Sequence, residues 1–390
     1  MDRRLFLAAG GLAAVSPALA NSTAVGIAPA DAPELSQAEL FKQVNFHSDG
    51  LDHTPAEYAH LLQAMAAGGT LQADNYSRGG AVTALEQAFA RELGKEAAMF
   101  VPTGTLANHL AVRKLAGADR RVLVQAESHL YNDSGDGAQT LSGLNVVPLS
   151  PGATSIALDD AKAWVERSAG GRVPTQVGVL SIESPVRRKD HAFVPFAQMQ
   201  ALCAYAREQG IRLHLDGARL FSLPQHSGHS VREYAALFDT VYVSVWKHFD
   251  GASGAILAGD ASFIEGLYHV RRLFGGGLPH AWPVMALAEA SVAGFEAGYA
   301  KSWQLAERWM ALLGEDARFD FRRIEHGTSR FYLTVKGVTP EAMAQGLQPR
   351  GILIAHGPPG VAEIPMQVNL SILRSTPELL ARKFIDAANG

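Results

Sequence analysis

Apolar and polar positions along this chain alternate between two periods. From Val82 to Leu93, Leu85, Phe89 and Leu93 recur at helical spacing, and Gly94 follows as a stop. The next run, Ala97-Ala98-Met99-Phe100-Val101, is short and continuously apolar, which reads as a buried strand. Further strands are predicted at Arg121–Gln125, Asn145–Leu149, Gly178–Ile182, Arg212–Leu215 and Thr240–Val245, with helical stretches such as Phe196–Gly210 between most of them. Such alternation predicts an α/β fold with a mostly parallel sheet covered on both faces. Ahead of it, Val44–Gly50 reads as extended and Pro55–Ala67 as a helix. Beyond it, Trp282–Tyr299 predicts one long Ala-rich helix. Arg330–Val335 and Gln367–Ile372 then suggest a small α+β unit. The expected division is a large domain over 46–285 and a small one over 286–390.

Composition narrows the function classes. The chain has 390 residues, 47% of them hydrophobic, and a net charge of -4. Basic residues are not clustered among aromatics, so nucleic acid is excluded as the expected partner. The single cysteine, Cys203, can form neither an internal disulfide nor a thiolate metal cluster, and the histidines form no ligand pair, so no metal is expected. At the N-terminus, Arg3-Arg4 precede a small apolar run, and Ala18-Leu19-Ala20 offers a cleavage site before Asn21. Residues 1–20 therefore read as a twin-arginine export signal and 21–45 as an arm. The expected location is the periplasm, with no membrane contact after signal removal, since the apolar run is too short to span a bilayer.

The candidate chemistry begins at Lys247. It follows the β-branched and aromatic run Val241–Trp246, and Asp216 ends the earlier apolar run His214-Leu215. A lysine and an aspartate at successive strand ends suit pyridoxal 5'-phosphate: the amine can form a Schiff base with its aldehyde, and the carboxylate can pair with the protonated pyridine nitrogen. Pro102-Thr103-Gly104-Thr105 opens a helix after the Phe100 strand and can hold a phosphate, although Thr and Gly also serve as plain caps. His129 follows a strand and could stack on a pyridine ring. Arg188, with Arg187 as its competitor, could grip a carboxylate. Arg271, ahead of Gly275-Gly276-Gly277, could reach a phosphate, including one across a subunit boundary.

Together, Pro102-Thr103-Gly104-Thr105, His214-Leu215-Asp216-Gly217-Ala218-Arg219-Leu220 and Gly275-Gly276-Gly277-Leu278 resemble the threonine aldolase and β-eliminating lyase family of fold-type I pyridoxal phosphate enzymes, over about Phe46 to Ile385. The resemblance implies that Lys247 is the Schiff-base lysine, Asp216 the pyridine-nitrogen partner and His129 the stacking ring. It also implies phosphate contacts from Gly104 and Thr105, ring support from Arg219, a neighbour's phosphate for Arg271, and substrate carboxylate binding by Ser48 and Arg188. A homodimer or homotetramer with shared active sites is implied as well. The chain departs from the family pattern at Trp246 and His248 beside the lysine, at Gln367 where a second carboxylate-binding arginine is usual, and at Pro279-His280 after the glycine triplet. It departs also at Ser134, where an acid is usual although Asp133 and Asp136 lie close by, and at Tyr76-Ser77-Arg78.

The implied reaction is retro-aldol cleavage of a threonine-like β-hydroxy-α-amino acid to glycine and an aldehyde. The alternatives are β-elimination from another amino acid, which places Trp246, His248 and His280 near Cβ, and a catalytically silent periplasmic binding protein.

Overall fold

The computed structural model describes residues 40–357 and 360–390; the expected export signal and most of the expected arm lie outside the described residues. Its strands, in chain order, are β1 (Val44–Asn45), β2 (Ala97–Val101), β3 (Arg121–Gln125), β4 (Asn145–Leu149), β5 (Val177–Glu183), β6 (Arg212–Asp216), β7 (Thr240–Ser244), β8 (Ala255–Gly259), β9 (Phe319–Arg323), β10 (Arg330–Val335), β11 (Ile352–Leu353) and β12 (Ile364–Gln367). Seven of them form one sheet in the order β2-β8-β7-β6-β5-β3-β4. All pairs are parallel except those made by β8, which runs against both β2 and β7. The C-terminal ends of the other six strands therefore meet along one edge, where the crevice of an open α/β sheet lies.

Burial explains the composition of the strands. Every residue of β5, β7 and β8 is buried, as expected of strands covered on both faces. On one face the helix Gly104–Ala116 sets Ala107, Leu110 and Ala111 against Val101, Tyr242 and Leu257. The larger cluster includes the edge-to-face rings of Phe89, Phe221 and Phe249, whose centroids lie 4.9–5.8 Å apart. The helix Gly80–Leu93 ends at Gly94 in the left-handed conformation, as its sequence predicts.

The expected helix Trp282–Tyr299 is instead two helices, Trp282–Val292 and Phe295–Leu313, broken at Ala293-Gly294. The expected strand Gln367–Ile372 is also corrected: β12 stops at Gln367, and Asn369 caps a 3-10 turn over Leu370–Arg374 through its side chain. β9, β10 and β12 make a three-stranded antiparallel sheet. Against it lies a cluster of Trp309, Phe331 and Phe384 into which Phe46 inserts, stacked on Trp309 at 5.0 Å. The segment Val44–Phe46 is fastened to this layer: β1 pairs in parallel with β11, and the Gln367 N–H donates to the Phe46 carbonyl. Residues Leu40–Gly390 form a single compact unit.

Candidate active site

The strand ends place Thr103, Gly104, Thr105, His129, Glu183, Asp216, Arg219, Trp246 and Lys247 around one cavity of about 170 Å³. At one wall, the Thr103 side chain caps the helix Gly104–Ala116 by accepting from the Leu106 N–H at 3.2 Å. The first N–H groups of a helix have no partner within it and carry its positive pole, so Gly104 and Thr105 can meet an anion here. Gly104 is required for close packing, because a Cβ there would collide with the Tyr242 hydroxyl.

Asp216 is fixed from behind. Asn108 Nδ2 donates to Asp216 Oδ2 at 2.6 Å, and Asn108 Oδ1 lies 2.8 Å from His214 Nε2. His214 Nδ1 lies 2.9 Å from the Thr240 hydroxyl. Burial pushes the His214 imidazole down to about 4, so the ring is neutral. A neutral His214 that donates from Nε2 to Asn108 can accept at Nδ1 from Thr240, which makes one directed chain of donors ending on the carboxylate.

Lys247 lies on a helical turn, Val245–His248, just past the end of β7, and is 8% exposed. Burial, assisted by the nearby Arg219 charge, lowers its amine to about 8. Arg219 is itself tied to Asp49 by two bonds, Nε to Oδ1 at 2.7 Å and Nη2 to Oδ2 at 2.8 Å. Burial opposes ionisation of Asp49, yet Arg219 and His191 hold its carboxyl well below the usual range. The next residue, Gly50, backs directly onto the Lys247 carbonyl, where no Cβ could fit. His129 has its imidazole lowered, chiefly by burial; Ser134 Oγ is 3.5 Å from its Nδ1.

Sequence reasoning missed Glu183. Paired in register with Asp216, it accepts the His129 N–H at 2.6 Å and the Arg187 N–H at 2.9 Å, so it ties two loops to the cavity wall. Burial, then the charge of Asp216, raises its carboxyl to about 7. A charged residue ending a mostly apolar strand is the signal that could have found it.

Three expected residues stand apart from the cavity lining. Arg188 is exposed and donates through Nε and Nη2 to Asp133, with Arg187 Nη1 3.3 Å from the same carboxylate. Ser48 donates to Asp52 at 3.0 Å on the loop that backs Lys247. Arg271 is fully buried, donates to the Phe100 carbonyl, and leaves Nε and Nη2 without partners among the described residues. Of the residues expected near Cβ, only Trp246 lines the cavity. His248 turns into the core and stacks on Phe295 at 4.6 Å, and His280 Nδ1 faces the Asp74 carbonyl at 2.9 Å. Gln367 is buried, donating to the His47 carbonyl at 2.9 Å and accepting from Ser329.

The cavity offers an amine of lowered basicity, a carboxylate on a fixed support, a neutral ring and a helix terminus for an anion. That donor set fits pyridoxal 5'-phosphate group by group. The model for the beta-eliminating lyase family matches residues 46–335. The chain belongs to this family. The lyase is 34% identical to an aldolase of Penicillium aethiopicum over 282 residues, covering 71% of this chain and 69% of that protein. With the low specificity L-threonine aldolase of Saccharomyces cerevisiae it shares 29% over 211 residues, about half of each chain (53% and 54%). A threonine aldolase from Leishmania major has the same fold, with a TM-score of 0.67 over 89% of this chain and 99% of that one at 16% identity. This lyase is pyridoxal phosphate-dependent, with Lys247 and Asp216 as the residues that would hold the cofactor's reactive carbon and ring nitrogen, and Gly104 and Thr105 its phosphate.

Proposed function

We propose that this lyase cleaves a threonine-like β-hydroxy-α-amino acid to glycine and an aldehyde. The observation that carries the reading is the meeting of Lys247, the Asn108-supported Asp216 and a neutral His129 around one cavity. The bound cofactor supplies an electron sink for the carbanion left at Cα. Lys247, at about 8, has a substantial neutral fraction at mildly alkaline pH, so it can serve as a nucleophile and then as a proton carrier. His129 Nδ1 faces Ser134, which leaves Nε2 to take the β-hydroxyl proton. Asp216 favours a proton on the ring nitrogen, and Asp49 offsets the Arg219 charge beside Lys247.

The test is product analysis of purified, cofactor-loaded protein beside Lys247→Ala, over a panel of β-hydroxy-α-amino acids. Stoichiometric glycine and aldehyde are expected from the wild type, and a loss of at least about 10³-fold in the variant, together with its visible absorbance. A keto acid and ammonia in place of glycine would select β-elimination, and no product from any member would sink both readings. Arg3-Arg4 and the Ala18-Leu19-Ala20 site support export to the periplasm, which cell fractionation tests. Assembly as a homodimer or homotetramer is supported by the family resemblance.

A further inference from the structure

The reaction cavity, at about 170 Å³, is smaller than the roughly 300–1,000 Å³ of typical ligand pockets. A bound cofactor ring and its phosphate would take up most of that space, so a large substrate side chain would have to extend elsewhere. Trp246 marks the direction. Its indole centroid is 5.4 Å from Lys247 Nζ, and the residue is 49% exposed. It forms a wall of the reaction cavity and also of an adjoining cleft of about 520 Å³.

The chemistry of this cleft is selective. Leu51, Tyr58, Leu62 and Pro283 supply apolar surface, and the Tyr58 hydroxyl fastens two walls by donating to the Pro283 carbonyl at 3.1 Å. Its carboxylates, Asp52 and Asp250, are already bound to hydroxyl or amide donors, and His53 lines the cleft beside them. Asp52 accepts from Ser48 at 3.0 Å and from Asn45 at 3.3 Å. Asp250 accepts from Ser291 at 2.6 Å and lies 3.6 Å from His53 Nε2. No lysine or arginine lines the cleft among the described residues. An anionic group entering it would meet two carboxylates with no lysine or arginine to offset them. An aromatic ring would find the indole face and the aliphatic floor.

We propose that this cleft is the side-chain pocket of the substrate, with Trp246 as its specificity-determining wall, and that it selects β-hydroxy-α-amino acids bearing an uncharged aryl group at Cβ. The inference rests on the aldol reading above and deepens it. Threonine, with only a methyl at Cβ, leaves the cleft empty, and an acidic side chain is repelled.

The test compares kcat/KM of the cofactor-loaded protein on β-phenylserine, threonine and β-hydroxyaspartate, in the wild type, A59W and A59F. Ala59 lines the cleft from the exposed side of the helix Pro55–Ala67 and does not line the reaction cavity. Wild type is expected to prefer β-phenylserine over threonine by about tenfold or more, with β-hydroxyaspartate the poorest. Filling the cleft with A59W is expected to cost at least about tenfold on β-phenylserine, through KM, while threonine stays within about twofold; A59F should give a smaller loss of the same kind. Equal losses on both substrates, no loss on either, or a wild-type preference for threonine would overturn the proposal. So would A59W dissociating an oligomer in sedimentation, because a second copy would then be what covers the cleft. If none of the three substrates yields glycine, the aldol reading itself fails, which is a different outcome from an unselective aldolase.

Discussion

At the inner end of the reaction cavity, Asp216 is backed by the buried chain Asn108, His214 and Thr240, whereas at the rim the exposed Arg188 is held by a half-buried Asp133. The inner groups are neutral or paired and leave each other little freedom. Those at the rim are exposed guanidiniums sharing one half-buried carboxylate, so their geometry is weakly enforced. The departures from the family pattern fall on both sides of this division, with His248 and Gln367 in the buried interior. Lys247, Asp216 and Gly104 keep it, while Trp246 and Ser134 depart from it around the opening.

The sharpest way to break this comparison is Asn108→Ala. It strips a partner from both His214 Nε2 and Asp216 Oδ2 in the interior, at an expected cost of about 1–3 kcal/mol. Urea unfolding of the cofactor-free protein reads that cost, and the loaded variant should lose cofactor faster on dilution. An unchanged unfolding midpoint would mean that the inner chain has slack like the rim.

The second test uses pH. Burial lowers the Lys247 amine from the ordinary 10.5 to about 8, so its neutral form dominates above that value. The sign is therefore fixed: the rate at which pyridoxal phosphate attaches to the cofactor-free protein should rise by about tenfold between pH 7 and pH 9 and then level off. Stopped-flow absorbance measures it. A rate still climbing towards 10.5 would place the amine in water rather than in the cavity wall.

The smallest effect belongs to Arg188→Ala, which should leave KM within about threefold, because the guanidinium is spent on Asp133 and does not line the cavity. A tenfold rise in KM would move Arg188 into the substrate site and erase the contrast with the inner end.

What the sequence makes legible follows from the same physics. A charge at the end of an apolar run stands out, so Asp216 and Lys247 are found, and the strands before them are found with them. The β5 run reads as ending at Ile182, and that one-residue difference hides Glu183, which obeys the same rule. The helix break at Gly294 leaves no mark on the apolar period, and β8 is a five-residue run that periodicity alone does not separate from its neighbours. The links from Arg219 to Asp49 and from Arg188 to Asp133 join residues far apart in the chain, and only the folded loops bring them together.

The reversed strand β8 bears on how this protein comes into being. β2 joins the sheet only through β8, which is the last of the seven strands to leave the ribosome. Until it arrives, the turn Thr103-Gly104-Thr105 after β2 has no hydrogen-bonded connection through the sheet to β6 and β7. This late, long-range closure makes for slow folding and leaves strand edges open to aggregation in the meantime. A nascent chain stopped short of Gly259 should therefore be unable to capture the cofactor, and chaperone demand should be highest just before that strand emerges.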